Sequence, residues 1–138
     1  MFERIIVPVD LTKRNREAVD MARGVVAPNG SICLVHVIET IPGVSVDEEK
    51  AFYEKLEKKA SSFLAELSSV LDDAGVDSTA EVVYGSRARS ILDEAKKLDA
   101  DLIVVRSHRI GTERADQGFG TLSYQIGILA ECPVLLVK

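Results

Sequence analysis

Arg4-Ile5-Ile6-Val7-Pro8-Val9-Asp10 is apolar at every position between its two charged ends. A strand with one face in water alternates apolar and polar residues. One that is apolar on both faces must be covered on both, as happens inside a parallel sheet flanked by helices. Arg4–Val9 therefore reads as a central strand, and Ser31–Ile38, Asp101–Val105 and Pro133–Val137 share its character. Thr79–Tyr84 alternates more and is expected at a sheet edge.

Helical periods fill the gaps between these runs. Asn15 to Val26 puts Ala18, Val19, Ala22, Val25 and Val26 on one face, with Pro28-Asn29-Gly30 expected to turn the chain afterwards. Asp47 to Ala74 carries a stripe of Phe52, Leu56, Phe63, Leu67, Val70 and Leu71, with Gly75 as its C′ residue. Ser86 can cap a third helix that buries Ile91, Leu92, Ala95 and Leu98. Gly120 or Thr121 can open a fourth that buries Leu122, Ile126 and Leu129. Strands alternating with helices imply right-handed parallel crossovers. The sequence thus predicts one α/β domain over residues 1–138: a doubly wound five-stranded parallel sheet of order 3-2-1-4-5, with helices on both faces.

Composition narrows the function classes. With 138 residues there is room for one core. A formal net charge of −5 and a pI near 5.1, with no basic stripe, disfavour nucleic acid as a partner. No apolar run reaches the roughly 18–20 residues that span a bilayer, so no membrane role is expected. Met1-Phe2-Glu3-Arg4 enters a strand without a basic n-region or a small-residue cleavage site, which predicts a cytoplasmic location. Cys33 and Cys132 lie far apart, outside any CxxC spacing, and read as buried free thiols.

In a doubly wound sheet the ligand crevice opens at the carboxyl ends of the strands where their order reverses. Here that point lies between the first and fourth strands, so the loops to inspect are Asp10–Arg14 and Arg106–Thr121. Asp10 can accept hydrogen bonds from a ribose or an adenine amine, or it can cap the loop into the first helix. Gly118-Phe119-Gly120-Thr121 precedes a helix whose free N–H groups suit an anion, although two glycines in a plain turn look the same.

Val7-Pro8-Val9-Asp10, Leu34-Val35-His36-Val37, Tyr84-Gly85, Ala100-Asp101-Leu102-Ile103-Val104-Val105 and Cys132-Pro133-Val134-Leu135-Leu136-Val137 together resemble the universal stress protein family, in order and spacing, over nearly the whole chain. Members that bind ATP carry G-x2-G-x9-G-[ST] after the fourth strand. This chain has Arg106 and Arg109 at the first two glycine positions, within Arg106-Ser107-His108-Arg109, and keeps Gly120-Thr121 after a ten-residue spacer. Leu11-Thr12 follows Asp10 where the family commonly has Gly-Ser, and Arg87 replaces a frequent proline. The resemblance implies a nucleotide site at Asp10, Leu11, Thr12, Val37, Arg106, Ser107, His108, Arg109, Gly120 and Thr121, if nucleotide binds at all. It also implies a homodimer through Pro133, Val134, Leu135, Leu136 and Val137.

Two readings of the arginines stay open. In one they are solvated loop residues, paired with Glu113 or Asp116, and ATP with magnesium binds weakly or not at all. In the other they face the crevice and supply charge to phosphates. The expected function is a non-enzymatic stress-response or regulatory protein with a degenerate ATP motif, and the alternative is a nucleotide binder with slow hydrolysis. His36 reads as a core histidine with its ring satisfied. His108 stands beside Ser107, but nothing in the sequence orients it as a base. There is no P-loop and no HExxH zinc pair. A protein partner read through Glu39–Asp47 and Arg106–Phe119 is a third reading.

Overall fold

The computed structural model describes residues 1–107 and 121–138. Its elements are β1 (Phe2–Pro8), α1 (Asn15–Val25), β2 (Val26–Glu39), α2 (Lys50–Asp73), β3 (Asp77–Gly85), α3 (Arg87–Lys97), β4 (Leu102–Arg106), α4 (Leu122–Leu129) and β5 (Val134–Val137). The strands make one sheet in the order β3-β2-β1-β4-β5, with each neighbouring pair parallel, as the sequence predicts.

Successive residues of a strand point to opposite faces, and β1 uses both. Ile5 and Val7 meet Ala18, Val19 and Ala22 of α1 and Leu64, Leu67 and Leu71 of α2. Ile6 meets Ile91 and Ala95 of α3 and Ile126 of α4 on the other side. Each such aliphatic contributes about 1.5–3 kcal/mol by burial, so the central strand ties both helical layers to the sheet. No helix among the described residues is long and apolar enough to cross a membrane.

Three local expectations need correction. The stripe of α2 is rotated: Tyr53, Ala60, Leu64, Leu67 and Leu71 are buried, while Phe52 is exposed. Tyr53 wins the inward place because its hydroxyl also accepts from Ile41 N–H, satisfying a loop amide that an apolar ring could not. Leu129 is exposed as well, since α4 is short and buries Ser123 and Ile126. Finally, Pro28-Asn29-Gly30 forms no turn: it lies within β2, whose register against β1 jumps from Phe2↔Val26 to Arg4↔Ser31. The surplus residues of β2 are taken up as an irregularity that carries the chain from α1 directly into the sheet.

Gly30 is what lets that irregularity close. A Cβ there would stand 2.8 Å from Val26 Cγ2, 2.9 Å from Phe2 O and 3.0 Å from Glu3 O. Two of those three atoms are backbone and cannot swing away. At the end of α2, Gly75 takes φ +73° and its N–H donates to Asp72 O, while Val76 N–H donates to Leu71 O. This is the Schellman closure expected from the sequence. Gly30→Ala is expected to destabilise the protein by about 1–3 kcal/mol in urea unfolding. Gly24→Ala, in α1 with nothing within 4 Å of the new methyl, should gain about 0.5–1 kcal/mol. An unchanged midpoint for Gly30→Ala would mean the two strands do not approach this closely.

Candidate functional site

The crevice arises where β1 leaves β4. Their pairing covers only Ile5↔Leu102 and Ile6↔Ile103, whereas β1 stays with β2 as far as Pro8↔Val35, and β4 with β5 as far as Arg106↔Val137. Proline explains the break. Asp101 N–H donates to Arg4 O, and Val9 N–H donates to Val35 O, so alternate backbone groups of β1 face β4 and β2. By that alternation the nitrogen of Pro8 faces β4, and it has no hydrogen to give. Beyond it the loops diverge around a cleft of about 760 Å³. Val9, Val35, Val37, Ile91, Val105 and Leu122 form its apolar wall, and Asp10, Thr12, Arg14, Asn15, His36, Glu39, Arg87, Arg106, Thr121 and Ser123 its polar parts.

Asp10 organises the first loop. Its Oδ1 accepts from Thr12 N–H (2.9 Å), Thr12 Oγ1 (2.5 Å) and Asn15 Nδ2 (2.9 Å). Asn15 is buried and reciprocates: its Oδ1 accepts from Asp10 N–H at 3.2 Å, and its Nδ2 donates to the carbonyls of Asp10 and Thr12. Asp10 therefore caps its own loop and not α1, whose N-cap position is Arg14 without a side-chain bond. Partial burial pushes the Asp10 carboxyl upward, but the hydrogen bonds from Thr12 and Asn15 outweigh it and hold the group below its ordinary value of 3.8. The hydrogen bonds just named converge on Oδ1, so the loop is held without Oδ2.

The other wall centres on Arg106. Its side chain is only 18% exposed, and its Nη1 donates to Ser107 O (2.5 Å) and Val137 O (3.2 Å). Nε stands 3.3 Å from Glu17 Oε2, an ion-pair distance, without the alignment of a hydrogen bond. Arg106 is thus neither a solvated loop residue nor a free probe in the crevice; it is bracketed into the wall. Beneath it, buried Ser107 and Ser123 share a hydroxyl contact of 3.0 Å, and Lys138 Nζ donates to Ser107 Oγ at 3.2 Å. Thr121 caps α4, its hydroxyl accepting from Tyr124 N–H at 3.4 Å.

The sequence-derived site is partly assembled. Asp10, Thr12, Val37, Arg106 and Thr121 line the cleft, Ser107 lies just behind it, and Leu11 is half-buried outside the lining. His108, Arg109, Glu113, Asp116, Gly118, Phe119 and Gly120 fall outside the described residues. His36 is not the core histidine expected: one ring nitrogen is held, with Nδ1 2.8 Å from Val9 O, but the side chain lines the cleft and is only half-buried. A carbonyl only accepts, so Nδ1 carries the hydrogen. Glu39, Arg87 and Ser123 were not anticipated here, whereas Arg14 closes the Asp10–Arg14 loop to which the sequence pointed. Arg87 faces Glu39 at 3.6 Å across the rim, and the signal for both lay in the strand order, which sets the carboxyl end of β2 beside that of β1 and the carboxyl end of β3, just before Arg87, beside Glu39. Ser86 occupies the N-cap position of α3 without a capping hydrogen bond.

A crevice lined by apolar and polar side chains at the switch point marks the chain as a small doubly wound α/β protein with its candidate site where such folds place one. The Universal stress protein family matches residues 1–138, and the chain belongs to that family. Universal stress protein A homolog 1 of Coxiella burnetii is 30% identical, over 99% of this chain and 96% of its own. Among solved structures, a universal stress protein in complex with cAMP superposes with a TM-score of 0.76 at 20% identity, covering 99% of this chain and 97% of that one. The Arabidopsis thaliana protein At3g01520 with AMP bound gives a TM-score of 0.72 at 21% identity, covering 99% and 91%. At those identities the structural likeness concerns the fold.

Because Asp10 titrates below its ordinary value in the folded protein, its ionised form contributes stability above about pH 3.8. That contribution is lost as pH falls through the lower, folded value. Asp10→Asn should remove this part of the acid transition, so the stability difference from the parent is expected to narrow below pH 3.8. Urea unfolding at a series of acid pH values reads it, and a difference that stays constant would show that the Asp10 charge is not what holds the loop.

Proposed function

We propose that the chain is a non-enzymatic regulatory member of its family whose cleft takes an adenine nucleotide chiefly through its nucleoside, with weak grip on a polyphosphate. The observation that carries this reading is Arg106. At the position where ATP-binding members are expected to have the first glycine of their motif, a long side chain is folded into the cleft wall and bonded to Ser107 O and Val137 O. A glycine lets a phosphate approach the backbone; an arginine placed this way covers it. The nucleoside side is better equipped, with the apolar wall of Val9, Val37 and Val105 beside a rigid Asp10 loop. The AMP and cAMP bound by structures of the same fold support an adenine ligand.

The absence of an enzymatic role belongs to the same reading. Among the described residues His36 is tied to Val9 O and the Ser107 hydroxyl to Ser123 and Lys138, an arrangement that gives neither a placed base nor an oriented nucleophile. Free Cys33 and Cys132 fit a reducing compartment such as the cytoplasm. Calorimetric titration is expected to give Mg-ATP and AMP affinities within about threefold of one another, because added phosphates find few new donors among the described residues. Sub-micromolar Mg-ATP binding, or phosphate release above the buffer rate, would overturn the reading.

The reading also includes a homodimer through β5. This strand pairs with β4 alone, Leu136 is 38% exposed, and Ile128 and Leu129 on the preceding helix are 67% and 61% exposed. An edge strand beside exposed aliphatics suits a two-fold pairing of identical edges. Light scattering should find a dimer for the parent at micromolar concentration and a monomer for Leu136→Asp. A parent that is monomeric there would remove β5 as an interface.

A further inference from the structure

Resting on the reading of the cleft as a nucleotide site, we propose that Glu17 determines specificity there: its carboxylate masks the Arg106 guanidinium, and so sets how far the cleft prefers a phosphorylated ligand over the bare nucleoside. Arg106 lies in the cleft wall, and its side chain is more than four-fifths buried. Two backbone carbonyls anchor one end of its fork. Its Nε, buried, finds no aligned acceptor among the described residues and faces Glu17 Oε2 at 3.3 Å. The guanidinium is therefore fixed in place while part of its hydrogen-bonding capacity is underused.

Glu17 is the movable member of the pair. It stands in the first turn of α1, where the helix dipole favours an acid, and its side chain is 57% exposed. An ion pair with one partner so hydrated is weak and easily exchanged. A phosphomonoester, carrying about −1.5 to −2 charge and three strong acceptor oxygens, is a better partner for the underused N–H than this misaligned carboxylate. To reach it, a phosphate in the cleft must displace Glu17, which itself stands outside the cleft lining, or tolerate its charge nearby. Glu17 thus penalises phosphate without touching the nucleoside end of the cleft.

The test is calorimetry of the full chain with adenosine and with AMP, at fixed pH and salt. Glu17→Gln is expected to tighten AMP about three- to fivefold, the range that a half-exposed ion pair can supply, and to leave adenosine unchanged. In an Arg106→Gln background the same Glu17→Gln change should yield less than about a twofold gain, since there is no guanidinium left to unmask. In the Arg106-containing protein the gain should shrink at high salt. That comparison serves even if Arg106→Gln fails to fold. An AMP-to-adenosine ratio unmoved by Glu17→Gln, or a gain that persists undiminished without Arg106 or at high salt, overturns the role of Glu17 while leaving the nucleoside site intact. If adenosine binds to neither parent nor variant, the nucleotide reading falls, and this inference with it.

Discussion

The short contact between β1 and β4 governs the rest of the molecule. It is fastened at its start by Asp101, whose carboxylate accepts from Glu3 N–H at 2.8 Å and Arg4 N–H at 3.0 Å while its own N–H donates to Arg4 O at 2.9 Å. Two registered pairs later it is over. Pro8 cannot extend the ladder toward β4, because its nitrogen lacks the hydrogen that the next rung needs. The sheet is thereby continuous at one end and divided at the other. A cleft placed there requires no strain and no special loop, only two strands that part while each keeps its outer neighbour.

What stands in the cleft follows from that division. The β1 side delivers Asp10 on a loop locked by Asn15, a side chain buried deeply enough that its four hydrogen bonds to Asp10 and Thr12 replace those it loses to water. The β4 side delivers Arg106 and Ser107 within reach of β5, so the wall is stitched to the edge strand through Val137 O and Lys138. One side is thus a rigid acceptor loop, and the other a buried cation held against backbone carbonyls.

The strand order, the fold class and the position of the crevice were legible in the sequence because they rest on long-range necessities: strands apolar on both faces need cover on both, and alternating elements need parallel crossovers. The features that were not legible depend on local competition. Pro28-Asn29-Gly30 carries the composition of a turn, yet Gly30 lies so close to the carbonyls of Phe2 and Glu3 that a Cβ would not fit, which only the paired strand reveals. Phe52 and Tyr53 are adjacent aromatics, and the choice of which to bury turned on a hydrogen bond to Ile41 N–H. Asp10, Thr12 and Arg106 were reachable by counting to the ends of strands, and Val37 through the family resemblance. Glu17 was not, because its approach to Arg106 depends on how α1 crosses the sheet.

An arginine at position 106, where the resemblance to ATP-binding members implies a glycine, would change the character of such a site without a change of fold. Glycine would leave the carboxyl end of β4 as bare backbone, open to a ligand. Arginine fills that space, but an unpaired guanidinium in a wall this enclosed would be costly. The chain meets the cost from three directions, with the carbonyl of the next residue, the carbonyl of the edge strand and a carboxylate from α1. Each of those partners is an acceptor, so a phosphate, an acceptor itself, could only take its place. The interactions that make Arg106 tolerable are therefore the ones that, on the reading proposed above, a phosphorylated ligand has to contest, and the discrimination proposed for the cleft rests on that competition.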